Sequence, residues 1–330
     1  MGKCGIIPVS LLIEAGGNIR RLIKKAVCGQ TRRHIGGTAA GRFLGLCTSW
    51  AVDTLGHGRE WIEVVELDLH LANLAKQFRG MRVVHISDLH CGRSVSSKYL
   101  RHCIERVNEL DADIVLLTGD YITYDVYGRF GKKIVELMGD ISSRHGTYAC
   151  MGNHDYGVDG ITGSLRHRRL GKLIDGMKDC GINVLRNESA VLERSGGQLW
   201  FVGLGDLWAG DFKPHRAFAD IDSDDTVIAL AHNPESVNHM KDFDYDAVLC
   251  GHTHGAPLQF SLLRKKSLLN RHDYYSGLYD LGDKKLYVNR GLGRLGRLFF
   301  NASPEITVFN LCDRPKAKLV DAQSLLKSQV

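Results

Sequence analysis

The chain has 330 residues, 44% hydrophobic and 24% charged, which excludes a low-complexity protein and fits one large globular domain or two small ones. The net charge of +6 is confined to the start: residues 1–50 carry eight bases (Lys3, Arg20, Arg21, Lys24, Lys25, Arg32, Arg33, Arg42) against one acid, Glu14, and the rest holds 35 bases and 36 acids. A near-neutral main domain leaves no nucleic-acid partner expected, and nine scattered cysteines without a Cys-x-x-Cys pair argue for reduced thiols in a cytoplasmic protein.

In residues 10–27, Leu11, Leu12, Ile19, Leu22, Ile23 and Val27 alternate with Arg20, Arg21, Lys24 and Lys25, although Gly16-Gly17 interrupts the pattern. A basic amphipathic segment reads as an anchor on an anionic membrane surface. Two other readings stay open. One is a degenerate twin-arginine export signal, Arg32-Arg33 before the small and apolar stretch to Val52, with Arg42 counting against it. The other is a disordered basic tail. No apolar run approaches the ~20 residues of a membrane span.

From residue 62 the pattern is alternating strands and helices. Strands are expected at 62–67, read as an edge strand, at 82–86, 113–118 and 147–151, then at 182–185, 188–193, 198–204, 226–231, 246–250, 285–288 and 305–311. Helices are expected from a Ser96 or Ser97 cap to about Leu110, near 131–141, over 164–180 with Gly181 as the stop, and after Pro234.

Five of these strands end in metal-type donors: Asp88 and His90; Asp120; Asn153 and His154; His232; His252 and His254. Taken singly, each has an ordinary structural explanation: Gly-Asn-Asp is a turn composition, Asp120 a helix cap, His90 or His232 an interior histidine. His85, Cys91 and Cys250 read as structural. The repetition is harder to explain that way, since a fold seldom needs carboxylate, amide or imidazole at the end of every central strand. Carboxylates with several imidazoles and no thiolates suit Mn first, and also Fe, Zn, Co or Ni. Eight donors exceed the need of one tetrahedral ion, so two divalent ions are expected.

These motifs carry a resemblance. Asp88-x-His90, Gly119-Asp120, Gly152-Asn153-His154-Asp155, Ala231-His232 and Gly251-His252-x-His254 resemble, in order, the five motifs of the calcineurin-like metallophosphoesterases. The later Tyr287-Val288-Asn289-Arg290-Gly291-Leu292-Gly293 is similar to the bacterial membrane-associated phosphodiesterase branch, which includes UDP-2,3-diacylglucosamine hydrolase-like proteins. The resemblance implies an α/β four-layer sandwich, two packed mixed β-sheets flanked by helices. It divides the chain into a basic segment (1–55), a catalytic domain (60–312) and a tail (313–330). It further implies one metal on Asp88, His90 and His254, a second on Asn153, His232 and His252, and Asp120 bridging. A hydroxide shared by the two ions then attacks phosphorus. His154 lies near the leaving group, and Asp155 orients it. Two departures bear on substrate choice: Tyr121-Ile122-Thr123 stands where many relatives carry an acid, and Ala256-Pro257 where close relatives continue with Gly-Gln.

For the substrate, Arg93 just past the first motif is a candidate phosphate contact, or simply a solvated arginine. Arg294 and Arg297 beside Leu298-Phe299-Phe300 form a basic and apolar group. With the basic start, these favour a lipid- or nucleotide-linked phosphate at a membrane, and hence a phosphodiesterase working at the inner membrane. No protein partner is predicted. Against this enzyme stand a scaffold that has lost its chemistry, which should lack ligands, and a membrane-surface module with structural metals, which should have closed sites.

Overall fold

The computed structural model describes residues 62–123, 125, 128–158, 169–255, 273–293 and 303–313. Readings of residues 1–61, of 164–168 in the basic helix, of Arg294 to Phe300 and of the tail from 314 lie outside these. The described strands are β1 (Glu63–Leu71), β2 (Arg82–Ile86), β3 (Ile114–Thr118), β4 (Thr147–Cys150), β5 (Ile182–Val184), β6 (Glu188–Arg194), β7 (Gly197–Gly203), β8 (Val227–Leu230), β9 (Ala247–Cys250), β10 (Gly277–Asp280), β11 (Lys285–Val288) and β12 (Glu305–Asp313). The α-helices are α1 (Ser97–Asn108), α2 (Arg129–Met138), α3 (Leu170–Asp179) and the single turn α4 (Pro214–Ala217). None is long and apolar enough to cross a membrane.

Two six-stranded mixed sheets result. The first has the order β1-β12-β2-β3-β4-β5, the second β10-β11-β9-β8-β7-β6. β2, β3, β4 and β5 run parallel, as do β7, β8, β9 and β11. The period-two alternation of strand side chains explains why these strands are apolar almost throughout. In β2 and β3, Val83, Ile114 and Leu116 face the second sheet, where they meet Phe201, Ile228, Leu230 and Leu249. Their neighbours Val84, Ile86, Val115 and Leu117 face α1, α2 and α3. The outer face of the second sheet (Val202, Ala229, Val248, Leu286) is covered by Ala217, Val237 and Met240. Helices, sheet, sheet and short helical turns therefore make the expected four layers. Tyr148 and Phe201 stack across the inter-sheet core with ring centroids 4.2 Å apart.

Most expected elements fall where the pattern put them, and the differences have local causes. β1 is the sheet edge, as expected, but is longer, because it pairs with β12 along its full length to Asp313. α2 starts earlier than 131 because the Asp125 carboxylate accepts from the backbone N–H groups of Arg129, Phe130 and Gly131. The segment opened by Pro234 is a 3-10 turn, Pro234–His239, not an α-helix; the Asn233 side chain caps it at Glu235, and it ends within two turns. Ser96 does cap α1, accepting from Tyr99 N.

Candidate metal centre

The carboxyl ends of β2, β3 and β4 in one sheet meet those of β8 and β9 in the other, as open α/β sheets place their ligand crevices. Two glycines permit the approach. A Cβ on Gly152 would fall inside contact distance of the Asp120 carboxylate and backbone, and one on Gly251 would strike Ser87 and the Asp88 carboxylate. Asp88, His90, Asp120, His252 and His254 all have φ between 48° and 73°. This left-handed backbone costs an L-residue on the order of 1 kcal/mol, and such strain concentrates at functional sites. Here it turns five side chains inward from strand ends that otherwise could not converge.

With His232 and Asn153 they form two overlapping groups. In the first, His90 Nε2 lies 3.0 Å from His254 Nε2, 3.6 Å from Asp88 Oδ1 and 3.7 Å from Asp120 Oδ2. In the second, His232 Nε2 is 3.0 Å from Asp120 Oδ2, and His252 Nδ1 is 3.3 Å from His232 Nε2 and 3.0 Å from Asn153 Oδ1. The same Asp120 oxygen thus stands between the groups. Backbone acceptors set two of the side chains. His232 Nδ1 is 2.6 Å from the Thr118 carbonyl, which can only accept, so Nδ1 carries the proton and Nε2 faces the group. The Asn153 amide donates to Val158 O at 2.7 Å, which turns its Oδ1 toward His252.

Asp88 and Asp120 are both buried, at 0% and 1% exposed. Burial alone would raise their carboxyl pKa values, but the surrounding histidines, His254 first for Asp88 and His232 for Asp120, outweigh it and hold both low. Conversely, burial would lower His232, and the Asp120 carboxylate overrides it, raising the ring to about 10. Ionised carboxylates and ring nitrogens aimed at one another favour positive charge among them, whether ring protons or a bound cation. Three sets bring their ligand atoms within 4.8 Å of one another: Asp88, His90 and His254; His90, Asp120 and His154; and Asp120, His232 and His252. That donor set, oxygen and imidazole without thiolate, fits divalent metal.

His154 sits beside this centre. Its backbone N–H donates to Asp120 Oδ1 at 2.9 Å, its Nδ1 lies 2.9 Å from the Thr123 carbonyl, and its Nε2 is 4.0 Å from Asp120 Oδ2. Burial lowers its pKa, partly offset by Asp120. The expectation that Asp155 orients His154 needs correction. The Asp155 carboxylate accepts from backbone N–H groups of Gly152, Asp120, Tyr121 and Ile122, at 2.9–3.2 Å. It ties the turn after β4 to the turn after β3, and the Thr123 carbonyl orients the imidazole. Burial, with the nearby Asp120 charge adding to it, pushes Asp155 up to about 7 despite these donors. Arg93 is exposed, beyond His90 on the way to α1.

The three residues read as structural are so placed. His85 is buried, lies 2.9 Å from Thr118 Oγ1 and is kept neutral, its pKa lowered to about 3 by burial. Cys91 and Cys250 are buried free thiols, and burial pushes Cys91 up to about 11.

Three features escaped the sequence reading. The segment after β11 braces the Asp88 turn: Leu292 N donates to Ser87 O at 3.0 Å and Gly293 N to Asp88 O at 2.6 Å. It is held in turn by Asn289, whose Oδ1 accepts from Gly291 N, and by the buried Glu305, which takes bonds from Tyr287, Thr307 and Arg290. Asp206, past the end of β7, is buried and raised by that burial to about 6. Trp208 packs edge-to-face on His252. The Asn-Arg-Gly motif signalled the first; neither of the others belongs to a repeated strand-end pattern.

Comparison with known proteins accords with this geometry. The family model for calcineurin-like phosphoesterases matches residues 81–256, more than half of the chain. Phosphodiesterase YaeI of Escherichia coli is 32% identical over 252 residues, covering 76% of this chain and 88% of that protein. UDP-2,3-diacylglucosamine pyrophosphatase LpxG of Chlamydia trachomatis is 26% identical over 301 residues, covering 77% and 90%. Among solved structures, the phosphopantetheinyl hydrolase PptH of Mycobacterium tuberculosis superposes with a TM-score of 0.41 at 10% identity, over 67% of this chain and 93% of that one. The five donor-bearing strand ends all fall inside the matched span, and the chain belongs to the calcineurin-like phosphoesterase family, as a metal-dependent phosphoric ester hydrolase.

Proposed function

We propose that the protein is a two-metal phosphodiesterase or pyrophosphatase acting on a nucleotide- or lipid-linked phosphate at a membrane surface. The observation that carries the two-metal part is the position of Asp120, one carboxylate oxygen 3.0 Å from His232 and 3.7 Å from His90. Asp88, His90 and His254 would hold one ion, Asn153, His232 and His252 the other, and Asp120 both; manganese is the first candidate. Bound divalent ions supply Lewis acidity toward phosphoryl oxygens and make water a nucleophile near neutral pH.

The protein's own groups do the rest. The neutral Asn153 amide completes the second set without adding negative charge toward an anionic substrate. His154 presents Nε2 to the departing oxygen, because Nδ1 is committed to Thr123. Nε2 therefore carries a proton only in the imidazolium form, and an arriving phosphoryl anion favours that form against the burial that lowers it.

The substrate class is supported by two relatives, one named a phosphodiesterase and one a pyrophosphatase of a nucleotide-linked diacyl sugar. The membrane part is supported by the basic segment at 1–50. The test is turnover by manganese-reconstituted protein of a panel of monoesters, diesters and nucleotide-linked lipids. Turnover of monoesters alone would overturn the reading, and metal analysis giving one ion per active chain would overturn the dinuclear centre. Replacing Arg20, Arg21, Lys24 and Lys25 by alanine should reduce sedimentation with anionic vesicles. Each base near such a surface is worth about 1 kcal/mol, and added salt should weaken it.

A further inference from the structure

β7 runs parallel to β8 and ends beside it: Gly203 is paired with Leu230, and Leu204 N donates to Leu230 O at 2.9 Å. Continued past the strands, that register brings the turn carrying Asp206 alongside His232 and Asn233. The same turn carries Trp208, whose ring packs edge-to-face on His252 with centroids 4.4 Å apart. Asp206 therefore lies at a sixth strand end, on the His232 and His252 side of the second donor group.

Its surroundings are unusual for an acid. Asp206 is 1% exposed. Oδ1 accepts from Ala209 N at 2.8 Å and closes the turn. Oδ2 is buried with no hydrogen-bond partner among the described residues, and no lysine or arginine pairs with it there. Besides burial, the ionised groups that act on it are His232, which favours its charge, and Asp120, which opposes it. Burying a carboxylate without a partner is strongly unfavourable, and a second buried carboxylate nearby makes it more so.

The turn does not explain the charge, since an asparagine would accept from Ala209 N equally well. A trapped water does not explain it either. Asn233 Nδ2, past the end of β8, is also buried without a partner among the described residues, and a neutral amide at 206 could share a water with it as well as a carboxylate could. What an asparagine cannot supply is negative charge, and the two donor groups differ in that respect. The first has Asp88 to itself. The second has Asn153, His232 and His252, which are neutral as ligands, and only a share of Asp120. Asp206 gives it a carboxylate of its own. Because that carboxylate is buried, it acts on an ion without being presented to an anionic substrate arriving from solvent. We propose that Asp206 is a positioning residue for the second group, the buried counter-charge of the ion that Asn153, His232 and His252 would hold. The proposal rests on the two-metal reading of the centre.

The test uses the full-length protein, with Asp206→Asn and His252→Ala beside wild type. Two readouts are taken: calorimetric titration of metal-free protein with manganese, and thermal unfolding before metal is added. His252→Ala identifies the binding step that belongs to the second group. Asp206→Asn should lower affinity at that step ~10–100-fold, the range for a residue that supports a ligand set from behind, and leave the other step unchanged. Metal-free Asp206→Asn should unfold at no lower temperature than wild type, because without a cation the unpaired charge only destabilises. A lower unfolding temperature with both binding steps unchanged would make Asp206 a structural part of the turn, or of a water site shared with Asn233. Equal weakening of both steps would make it a general source of negative charge, and a loss as complete as that of His252→Ala would make it a ligand. Each of these overturns the proposal, as does no change. If wild type binds a single ion, the two-metal reading fails, and that ion decides for Asp206: His252→Ala must remove it and Asp206→Asn must weaken it, or the proposal falls too. If both ions bind and no phosphoester is turned over, the proposed activity fails while the titration still decides for or against Asp206.

Discussion

The two donor groups at the rim of the sheets are built by different means. Asp88, His90 and His254 are placed by their backbone: all three have left-handed φ, and the turn is clamped by Leu292 and Gly293 on one side and by His252 N on the Asp88 carboxylate on the other. Among the described residues, His90 Nδ1 is buried with no hydrogen-bond partner. In the second group Asp120 and His252 share that backbone, but His232 and Asn153 do not, and their side chains are bonded to Thr118 O and Val158 O. The exposures differ as well, with the His232 side chain at 0% and His254 at 16%. Side-chain anchoring acts directly on the ligand atom, whereas backbone bracing is only as firm as the segment that supplies it. The second group should therefore bind its ion more tightly, and a chelator titration of the loaded protein should remove the first group's ion first.

The largest way to break this asymmetry is to remove what the groups share. Asp120→Ala should lose metal at both positions and abolish turnover, measured by elemental analysis and a diester assay. Retention of one full equivalent of metal would mean Asp120 belongs to a single group. Next in size, His154→Asn should leave both groups loaded while kcat falls ~10²–10⁴-fold, the usual cost of an acid–base partner. The loss should shrink with very acidic leaving groups. The pH dependence has a definite sign. With Nδ1 committed to Thr123, only the imidazolium can donate from Nε2, and burial holds that form's pKa below the ordinary value. Wild-type kcat on a poor leaving group should fall as pH rises through that pKa, and His154→Asn should lack that limb. A shared pH profile would remove the assignment.

Much of this centre was legible because each donor followed an apolar strand. Asp88, Asp120, Asn153, His232 and His252 needed only continuous apolar runs ending in polar residues to be suspected, and the resemblance of the five-motif order supplied the expected grouping. The sheet order was not legible, since pairing β12 between β1 and β2 joins residues some two hundred positions apart by contacts with no local signal. The carbonyls of Thr118 and Thr123 that set the His232 and His154 tautomers are invisible for a simpler reason: every residue has one, and only the fold says which faces a ring. The same holds for Asp155, whose partners are backbone N–H groups and not the neighbouring imidazole.

A smaller effect sharpens the comparison. Glu305 lies behind the Asp88 group, buried, and gathers Tyr287, Thr307 and Arg290 under the segment that braces the turn. Glu305→Gln keeps the shape and removes the charge. It should weaken metal binding at the Asp88 group by ~10–100-fold, the range for losing a residue that supports a ligand from behind. Affinity at the His232 group should not change. Calorimetric titration with manganese should then show one weakened and one unchanged step. Two equally weakened steps would make Glu305 a general stabiliser.

The smallest effect expected is at Arg93. It follows His90 by three residues but is exposed, and among the described residues it pairs with no acid. A side chain in water gains little from an ionic contact, about 0.2–1 kcal/mol for an exposed pair. Arg93→Ala should therefore raise KM for a phosphodiester by up to about fivefold, leave kcat and metal content unchanged, and lose its effect at high salt, where such contacts are screened. Because the backbone of residues 88–90, and not Arg93, sets the first group, the two metal-binding steps should match wild type. A drop in kcat of a hundredfold with normal metal content would place the guanidinium on the reacting phosphoryl group, and Arg93 would then rank with His154 as a residue of the catalytic centre.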